Sequence, residues 1–293
     1  MRLKHLESAL SSITREFPSP KVALEQYPTS AHLAASVIQL ATENDDLGDD
    51  RICLDLGCGT GMLSVASAFV CPLVIAVDCD NDALAVAQEN VEHVELEDTV
   101  VFVQAQVQTR QVKKKSKDSR GGGRNAKGRG GKGRGGGGRG GRGGGSSSSQ
   151  QAATDTKAIL ILDGSDGIPL KDRCVDTVLT NPPFGTKHNA GIDVQFLRTA
   201  CRLARRAVYS FHKRSTRAFL LKIAEEWGYQ ATVVAEMAFD IPQMYQFHNQ
   251  KSKDVEVDLI RVDVCAFSSP TEDLPSPSVL TGDDDDNEAE DDE

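Results

Sequence analysis

A glycine- and arginine-rich stretch divides this chain and limits how much of it can pack into a folded core. Residues Arg120 to Gly145 hold 16 of the chain's 26 glycines, and most of the remaining positions there are arginine or lysine. The last eleven residues, Asp283 to Glu293, carry nine carboxylates. Segments of this composition bury too little apolar surface to offset the entropy lost on ordering. We therefore expect one domain over residues 1–268, interrupted by a disordered insert at about 107–157 and followed by a disordered acidic tail at 269–293.

The net charge of −10 conceals an uneven distribution along the chain. From Arg110 to Arg142 there are 13 lysines and arginines against the single acid Asp118, whereas Asp283–Glu293 carries nine negative charges. The remaining body is therefore acidic, which argues against a broad nucleic-acid surface of its own. A local basic cluster between Arg198 and Arg217 is compatible either with a binding surface or with a solvated helix face.

The cysteines and the hydropathy pattern restrict the compartment in which this chain is expected to work. The seven cysteines are odd in number and contain no C-x-x-C pair, and several lie within apolar runs. We therefore expect structural thiols in a reducing compartment and no zinc site. No apolar run approaches 18 residues, and no hydrophobic signal core follows Met1. Neither a membrane span nor secretion is expected.

Strand-like and helix-like segments alternate over the rest of the chain. The predicted strands are Arg51–Leu56, Leu73–Val77, Thr99–Val103, Ala158–Leu162, Val175–Thr180, Ala207–Phe211, Ala231–Phe239 and Val255–Phe267. The predicted helices cover about residues 3–13, 30–42, 62–70, 81–91, 193–206 and 215–228. This alternation predicts an α/β fold with a mostly parallel, doubly wound sheet. The last two strands have no helix between them, which predicts a hairpin at the sheet edge.

The run Leu54-Asp55-Leu56-Gly57-Cys58-Gly59-Thr60-Gly61 closes the first predicted strand and indicates a ligand site. Glycines at such a turn let a ligand approach the backbone, and the following helix offers free N–H groups. A dinucleotide-binding G-x-G-x-x-G pattern would need a glycine at the position of Met62. The G-x-G-x-G spacing after an acid resembles instead the first motif of class I methyltransferases.

Asp78 is the second site signal, because it stands at the tip of the next predicted strand. A carboxylate at that position can accept hydrogen bonds from both hydroxyls of a ribose. The alternative is that Asp78 or Asp80 only caps the following helix. Asp80 is the better placed cap, which leaves Asp78 for the ribose.

The most specific signal is the run Asn181-Pro182-Pro183-Phe184 after the strand that ends at Thr180. Prolines restrict the backbone, so the Asn181 side chain and the Pro182 carbonyl can be held rigidly at the end of the strand. Two acceptors placed in this way can bind both hydrogens of a planar –NH₂ group and direct its lone pair toward an electrophile. Phe184 offers a face for base stacking. The plainer alternative is a Pro-Pro turn followed by a buried phenylalanine.

Several of these runs together resemble a known family. The segments Glu25–Thr29, Asp55–Gly59 and Asn181–Lys187 are similar to motifs of the eukaryotic methyltransferase-like enzymes that make N6-methyladenosine in small-subunit (18S) ribosomal RNA. Val208–Lys213 and Val255–Arg261 extend the resemblance over nearly all of the core. It implies a seven-stranded, Rossmann-like class I sheet and S-adenosylmethionine as methyl donor. It also implies a ribosomal RNA substrate and a heterodimer with a small zinc-binding activator subunit along the sheet edge.

The resemblance also implies a set of site residues. Asn181, Pro182, Pro183 and Phe184 would hold the target adenine. The implied cofactor-binding residues are Gln26, Thr29, Asp55, Gly57, Gly59, Thr60, Met62, Asp78, Gln106 and Val107. The family usually places an acid where this chain has Gln106, and a glutamine can contact the cofactor adenine only by presenting its amide oxygen. Asp163, after Leu162, is the rival candidate for that contact.

The Gly/Arg-rich insert has no counterpart in the family pattern. Chains of this type bind RNA weakly and without sequence preference, through phosphate contacts and arginine stacking. Similar tracts are common in nucleolar RNA-processing proteins, so we expect a nuclear or nucleolar location, with the cytoplasm as a second one. A tolerated, solvated loop is the alternative.

Two other functions match parts of the sequence. A protein glutamine N5-methyltransferase also uses an Asn-Pro-Pro motif, but that class normally has tyrosine at the position of Phe184 and lacks the Glu25–Thr29 element. A non-catalytic RNA-binding scaffold would be expected to have a degraded cofactor site, whereas the motifs here are intact apart from Gln106. The sequence therefore favours methylation of an adenine amine in RNA.

Overall fold

The computed structural model describes residues 3–108, 166–185, 189–242 and 252–265, with the backbone alone for 239–242 and 252–254. The strands are β1 (Ile52–Leu56), β2 (Leu73–Asp78), β3 (Val100–Gln104), β4 (Val175–Thr180), β5 (Ala204–Lys213), β6 (Gln230–Pro242) and β7 (Ser252–Asp263). The helices are α1 (Leu3–Leu10), α2 (Ala31–Glu43), α3 (Met62–Ala68), α4 (Asn81–His93), α5 (Ile192–Leu203) and α6 (Arg217–Glu226). None of these helices is long and apolar enough to span a membrane.

The strands form one seven-stranded sheet in the order β3-β2-β1-β4-β5-β7-β6. Strands β1 to β5 pair in parallel, whereas β7 is antiparallel to both β5 and β6. The predicted class I sheet with a C-terminal hairpin is therefore confirmed. The strand order reverses between β1 and β4, which are neighbours although β2 and β3 lie between them in the chain. In open α/β sheets, ligands bind beyond the carboxyl ends of the strands at such a reversal.

Helices cover both faces of the sheet. Helices α1 to α4 pack on one face around Leu10 and Ile38, and α5 and α6 pack on the other around Leu197 and Leu220. Successive residues of a strand point to opposite faces, so each face of β1 meets a different apolar layer. This arrangement explains why the parallel strands consist of almost continuous apolar residues.

The boundary between α5 and β5 lies three residues earlier in the chain than predicted. The sequence predicts a helix to Arg206, but α5 ends at Leu203 and β5 begins at Ala204, which pairs with Val175 of β4. The prediction was wrong over 204–206 because arginine is a good helix former, and the tertiary pairing overrides this preference. Arg205 and Arg206 are strand residues that pair with acids on neighbouring segments.

Three other predicted boundaries also shift by three residues, since α1 ends at Leu10 and not at Ile13, β6 reaches Pro242 and not Phe239, and β7 begins at Ser252 and not at Val255. The end of the last strand shifts by four. That strand was predicted to reach Phe267 but ends at Asp263. The predicted strand Ala158–Leu162 and the tail 269–293 fall outside the described residues, as does the insert at 107–157 apart from its first two positions.

Candidate active site

A cleft opens beyond the carboxyl ends of β1, β2, β3 and β4. Its empty volume is about 1070 Å³, which includes space open to solvent. The cleft brings together all the predicted site residues except Asp55 and Phe184. These lining residues are Gln26, Thr29, Gly57, Gly59, Thr60, Met62, Asp78, Gln106, Val107, Asn181, Pro182 and Pro183.

The glycine turn after β1 is packed between two aromatic rings. Gly57 has φ 78° and Gly59 has φ 54°, a backbone region that favours glycine. A Cβ atom on Gly57 would lie 2.9 Å from the Phe196 ring, and one on Gly59 would lie 2.9 Å from the Phe17 ring. The positive φ angles therefore favour glycine at both positions, and a Cβ at either one would also have to displace a phenylalanine ring. The sequence analysis missed both aromatic residues, because nothing in their local sequence distinguishes them from ordinary core side chains.

Asp78 anchors the glycine turn from the end of β2. Its Oδ2 accepts a hydrogen bond from the Gly59 N–H at 2.8 Å, and its Oδ1 accepts one from the Asp80 N–H at 2.9 Å. A carboxylate has about four acceptor positions, so these two bonds do not exhaust its capacity to accept. Burial raises the pKa of Asp78 above its usual value. Asp80 caps α4 by accepting a hydrogen bond from the Asp82 N–H, as the sequence predicts.

Residues 21–29, which we call the N-terminal strap, are fastened to the start of α4. The Gln26 side chain donates to Asp80 Oδ2 at 2.6 Å and accepts from the Lys21 N–H at 2.7 Å. The Lys21 ammonium pairs with Asp80 and with Asp82. Burial opposes ionisation of Asp80, but the hydrogen bonds from Lys21 and Gln26 outweigh it, and the pKa of Asp80 is lowered.

The opposite side of the cleft holds the strap through two asparagines. The Asn189 Nδ2 donates to the Ala23 carbonyl at 2.7 Å and to Glu25 Oε1 at 3.3 Å. The Asn181 Nδ2 donates to Thr29 Oγ1 at 3.1 Å. The strap therefore connects the Asp78–Asp80 side of the cleft to the side that carries Asn181.

Asn181 stands at the end of β4, which is tied to its neighbour β1. The Thr180 hydroxyl donates to the Leu56 carbonyl at 2.6 Å, so the two strand ends are held together. Asn181 is partly exposed and Pro182 is buried. The Asn181 amide donates to Thr29, and within the described part of the chain no group donates to its Oδ1. This oxygen is left to accept a hydrogen bond from a ligand.

The structure does not place Phe184 in the wall of the cleft. Its side chain is 7% exposed and belongs to the apolar layer beneath α1 to α4. The Lys213 ammonium lies 6.0 Å from the centre of the Phe184 ring. The prediction that this ring presents a stacking face is therefore corrected to the plainer alternative, a buried phenylalanine after a Pro-Pro turn. The apolar ring gains more by packing against the core than by facing the cleft.

Asp55 also lies outside the cleft, behind the glycine turn. Its side chain is 1% exposed, and its Oδ2 accepts a hydrogen bond from the Ser64 hydroxyl at 2.6 Å. Burial raises the pKa of Asp55 to about 7. The predicted contact with a cofactor is not made by this side chain, which instead links β1 to α3.

We expect the Asp55→Asn variant to gain stability relative to the wild type as the pH rises. The folded-state pKa of Asp55 lies above the unfolded value of 3.8. The contribution of this group to the free energy of unfolding is therefore complete in acid and is lost as the pH rises toward 7. Asparagine keeps an acceptor for Ser64 without titrating. Between pH 5 and pH 8 the variant should gain about 2–3 kcal/mol in the free energy of unfolding relative to the wild type.

Urea unfolding at a series of pH values measures this difference. The exposed Glu89 provides a control, since Glu89→Gln should unfold in parallel with the wild type at every pH. The same dependence of the unfolding free energy on pH in Asp55→Asn and in the wild type would contradict the raised pKa.

Residues after β3 and before β4 close the side of the cleft next to Asp78. Gln106 and Val107 line it together with the fully buried Ile168, which the sequence analysis missed. The Gln108 N–H donates to the Asp166 carbonyl at 2.8 Å. This bond brings together the two ends of the gap between the described segments. Asp163, the rival of Gln106, lies outside the described residues.

A family model covers the side of the cleft that carries the glycine turn and Asp78. The model of the ribosomal protein L11 methyltransferase (PrmA) matches residues 29–118. The matched range contains β1 to β3, the glycine turn and Asp78. It ends before Asn181, so it carries no information about the substrate.

Two relatives and one solved structure match the chain on both sides of the cleft, including the part that carries Asn181. The chain is 37% identical over 266 residues to the rRNA N(6)-adenosine-methyltransferase Mettl5 of Drosophila melanogaster, which covers 90% of this chain and 97% of the fly protein. It is 36% identical to the rRNA N(6)-adenosine-methyltransferase METTL5 of Danio rerio, over 89% of this chain and 98% of the fish protein. The crystal structure of the Pyrococcus horikoshii protein PH1948 has a TM-score of 0.60 at 26% identity, over 90% of this chain and 98% of that one. The chain therefore belongs to the family of METTL5 rRNA N6-adenosine methyltransferases, which are class I methyltransferases.

Proposed function

We propose that this chain transfers the methyl group of S-adenosylmethionine to the N6 amine of an adenosine in small-subunit (18S) ribosomal RNA. The observation that carries the proposal is the position of Asn181 and Pro182 in the same cleft as Asp78 and the glycine turn. One side of the cleft suits a nucleoside-bearing methyl donor, and the other offers acceptors for an exocyclic amine. The names of the fly and fish relatives support ribosomal RNA as the substrate class.

The residues of the cleft fit S-adenosylmethionine. Asp78 lines the cleft and has acceptor capacity beyond its bonds to Gly59 and Asp80, which suits the hydroxyls of a ribose. The glycine turn allows close approach to the backbone, and Met62 adds an apolar contact in the lining. Gln106 and Val107 lie beyond Asp78 along the sheet edge, where the adenine of the cofactor would lie.

The chemistry requires positioning of the amine more than a strong base. S-adenosylmethionine, when bound, supplies a methyl group on a positively charged sulfur that is a good leaving group. Asn181 Oδ1 and the Pro182 carbonyl would accept the two hydrogens of the target amine. Both acceptors together fix the plane of the amine and direct its lone pair into the cleft. The adenosine must leave its base stack to reach these groups.

A methylation assay tests the proposal directly. The chain is incubated with labelled S-adenosylmethionine and ribosomal RNA, with and without an activator subunit, and the RNA is digested to nucleosides. We expect label in N6-methyladenosine from the small-subunit RNA. Label in another nucleoside, or in protein glutamine, would overturn the proposal.

We further propose that a small zinc-binding activator subunit pairs with an exposed edge of the sheet. The sheet ends in β3 on one side and in β6 on the other. Unpaired strand edges promote aggregation unless they are covered. The expected nuclear or nucleolar location rests on the ribosomal RNA substrate and on the Gly/Arg-rich tract.

We expect the Gly/Arg-rich insert to add RNA affinity without selecting the base. The bond between Gln108 and Asp166 holds together the two described segments on either side of the insert, so the length of the connection between them adds little closure entropy. Deletion of Lys113–Gly145 should leave cofactor affinity unchanged. It should weaken RNA binding by about tenfold at low salt and flatten the dependence of affinity on salt, because fewer counterions are released.

A variant whose insert is replaced by glycine and serine of equal length separates charge from loop length. It should match the deletion in RNA binding. Unchanged RNA affinity and salt dependence in both variants would leave the insert as a passive loop.

A further inference from the structure

Arg202 lies in the last turn of α5 and forms hydrogen bonds with the segment that precedes β4, residues 166–172. Its Nε donates to Asp166 Oδ2 at 2.8 Å, and its Nη2 donates to Asp166 Oδ1 at 2.9 Å. The pair is largely buried, since the Arg202 side chain is 16% exposed and that of Asp166 is 13% exposed. A bidentate pair of this kind holds the carboxylate in one orientation.

The other donors of Arg202 bond to three groups of the same segment. They are the Ile168 carbonyl at 3.2 Å, the Leu170 carbonyl at 2.8 Å and Asp172 Oδ1 at 2.7 Å. A guanidinium has five N–H donors and no acceptor, so these bonds use all of its donors and their direction is unambiguous. Asp166 Oδ1 also accepts a hydrogen bond from the Ile168 N–H at 3.1 Å. Both backbone polar groups of Ile168 are therefore bonded within this cluster.

The segment that Arg202 holds packs against the residues after β3. Gly167 has φ 88°, and a Cβ atom on it would lie 2.1 Å from the Gln106 carbonyl oxygen. Ile168 and Val107 belong to the same buried apolar layer, and both line the cleft together with Gln106. Arg202 does not line the cleft itself. Its hydrogen bonds hold one part of the cleft wall against the other.

We infer that Arg202 is a positioning residue for the methyl donor, which keeps residues 166–170 against Gln106 and Val107 and so preserves the wall around the cofactor adenine. The inference rests on the proposed function, in which the adenine of S-adenosylmethionine lies beside these two residues. A preformed wall binds its ligand more tightly, because the segment does not have to be ordered on binding. The last turn of α5, outside the cleft, thereby contributes to cofactor affinity.

Arg202→Met tests the inference in steady-state methylation. Methionine keeps an unbranched apolar side chain and removes every N–H donor. We expect the KM for S-adenosylmethionine to rise by about 10- to 30-fold and kcat at saturating cofactor to stay within about threefold of the wild type. A variant that is only destabilised would instead contain less active enzyme, which lowers kcat and leaves KM unchanged.

Arg205→Met provides a matched control for the loss of a paired arginine. Arg205 pairs with Asp176 at 3.2 Å, and its side chain makes no bond to residues 166–172 in the described part of the chain. The KM for S-adenosylmethionine should therefore be unchanged in this variant. An equal rise of KM in both variants would overturn the inference.

Calorimetric binding locates the effect within the cofactor. 5′-Methylthioadenosine keeps the adenine and the ribose of S-adenosylmethionine but lacks its amino-acid part. Its affinity for Arg202→Met should fall by about the same factor as that of S-adenosylmethionine, because the wall faces the adenine. A variant that binds methylthioadenosine normally and loses affinity only for S-adenosylmethionine would overturn the inference.

The double variant Arg202→Met/Asp166→Asn tests whether an unpaired charge causes the effect. Arg202→Met leaves the Asp166 carboxylate without its partner, which can lower stability by itself. Asparagine at position 166 has no charge and keeps an acceptor for the Ile168 N–H. The double variant should lose as much affinity as Arg202→Met, since the segment is no longer held to α5. Wild-type affinity in either variant would overturn the inference.

The binding measurements do not depend on the RNA target, so the inference and the proposed function can fail separately. A wild type that binds S-adenosylmethionine without methylating an adenosine would overturn the proposed substrate alone. A wild type that does not bind it would overturn the inference as well.

Discussion

Replacing Asn181 with alanine should nearly abolish methyl transfer while leaving the affinity for S-adenosylmethionine within about twofold of the wild type. The Asn181 oxygen is proposed to hold the target amine and not the methyl donor. Preorganised groups of this kind typically supply about 2.7–4 kcal/mol of transition-state stabilisation, so kcat should fall by about 10²–10³-fold. Single-turnover methylation measures the loss, and calorimetry measures cofactor binding.

Asn44→Ala provides a matched control for the loss of an asparagine. Asn44 donates to the Tyr209 hydroxyl at 3.0 Å and does not line the cleft. This variant should keep its methylation rate even if it loses some stability. Full activity in Asn181→Ala would remove the basis for the proposed substrate site. A large loss of cofactor affinity would indicate that Asn181 contacts the cofactor and not the target amine.

Replacing Asp78 with alanine should weaken S-adenosylmethionine binding by at least about thirtyfold. The variant would lack the proposed hydrogen bonds to the ribose. It would also lose the hydrogen bonds that Asp78 now accepts from the Gly59 and Asp80 N–H groups. Hydrogen bonds to charged groups contribute about 1.5–3 kcal/mol each. Asp78→Asn keeps one acceptor oxygen and should therefore bind with intermediate affinity.

Calorimetric titration with S-adenosylmethionine measures the affinity of each Asp78 variant, with the exposed Glu89→Ala as control. If the dissociation constant rises by less than about threefold, which is less than ~1 kcal/mol, the only role of Asp78 is to anchor the glycine turn. Normal cofactor binding with impaired unfolding stability would point to the same conclusion.

The fold class and most of the cleft follow from the pattern of residues along the chain. Apolar runs mark the strands, and the glycine turn and Asn181 directly follow strands that lie near the one that Asp78 ends. Because the carboxyl ends of parallel strands meet at one edge of the sheet, local order along the chain was enough to place these three groups together. The N-cap role of Asp80 was also predictable, since a cap depends only on its own turn of helix.

The connection between the two sides of the cleft, and the choice of side chains that face it, depend on how the elements pack in three dimensions. The bond between Thr29 and Asn181 and the rings of Phe17 and Phe196 over the glycine turn join segments far apart in sequence. Phe184 and Asp55 occupy buried positions that their motifs did not reveal. A residue pattern reports the preferred environment of each side chain along its own element. It does not report which distant group lies within hydrogen-bonding or packing distance, because that depends on how all the elements assemble.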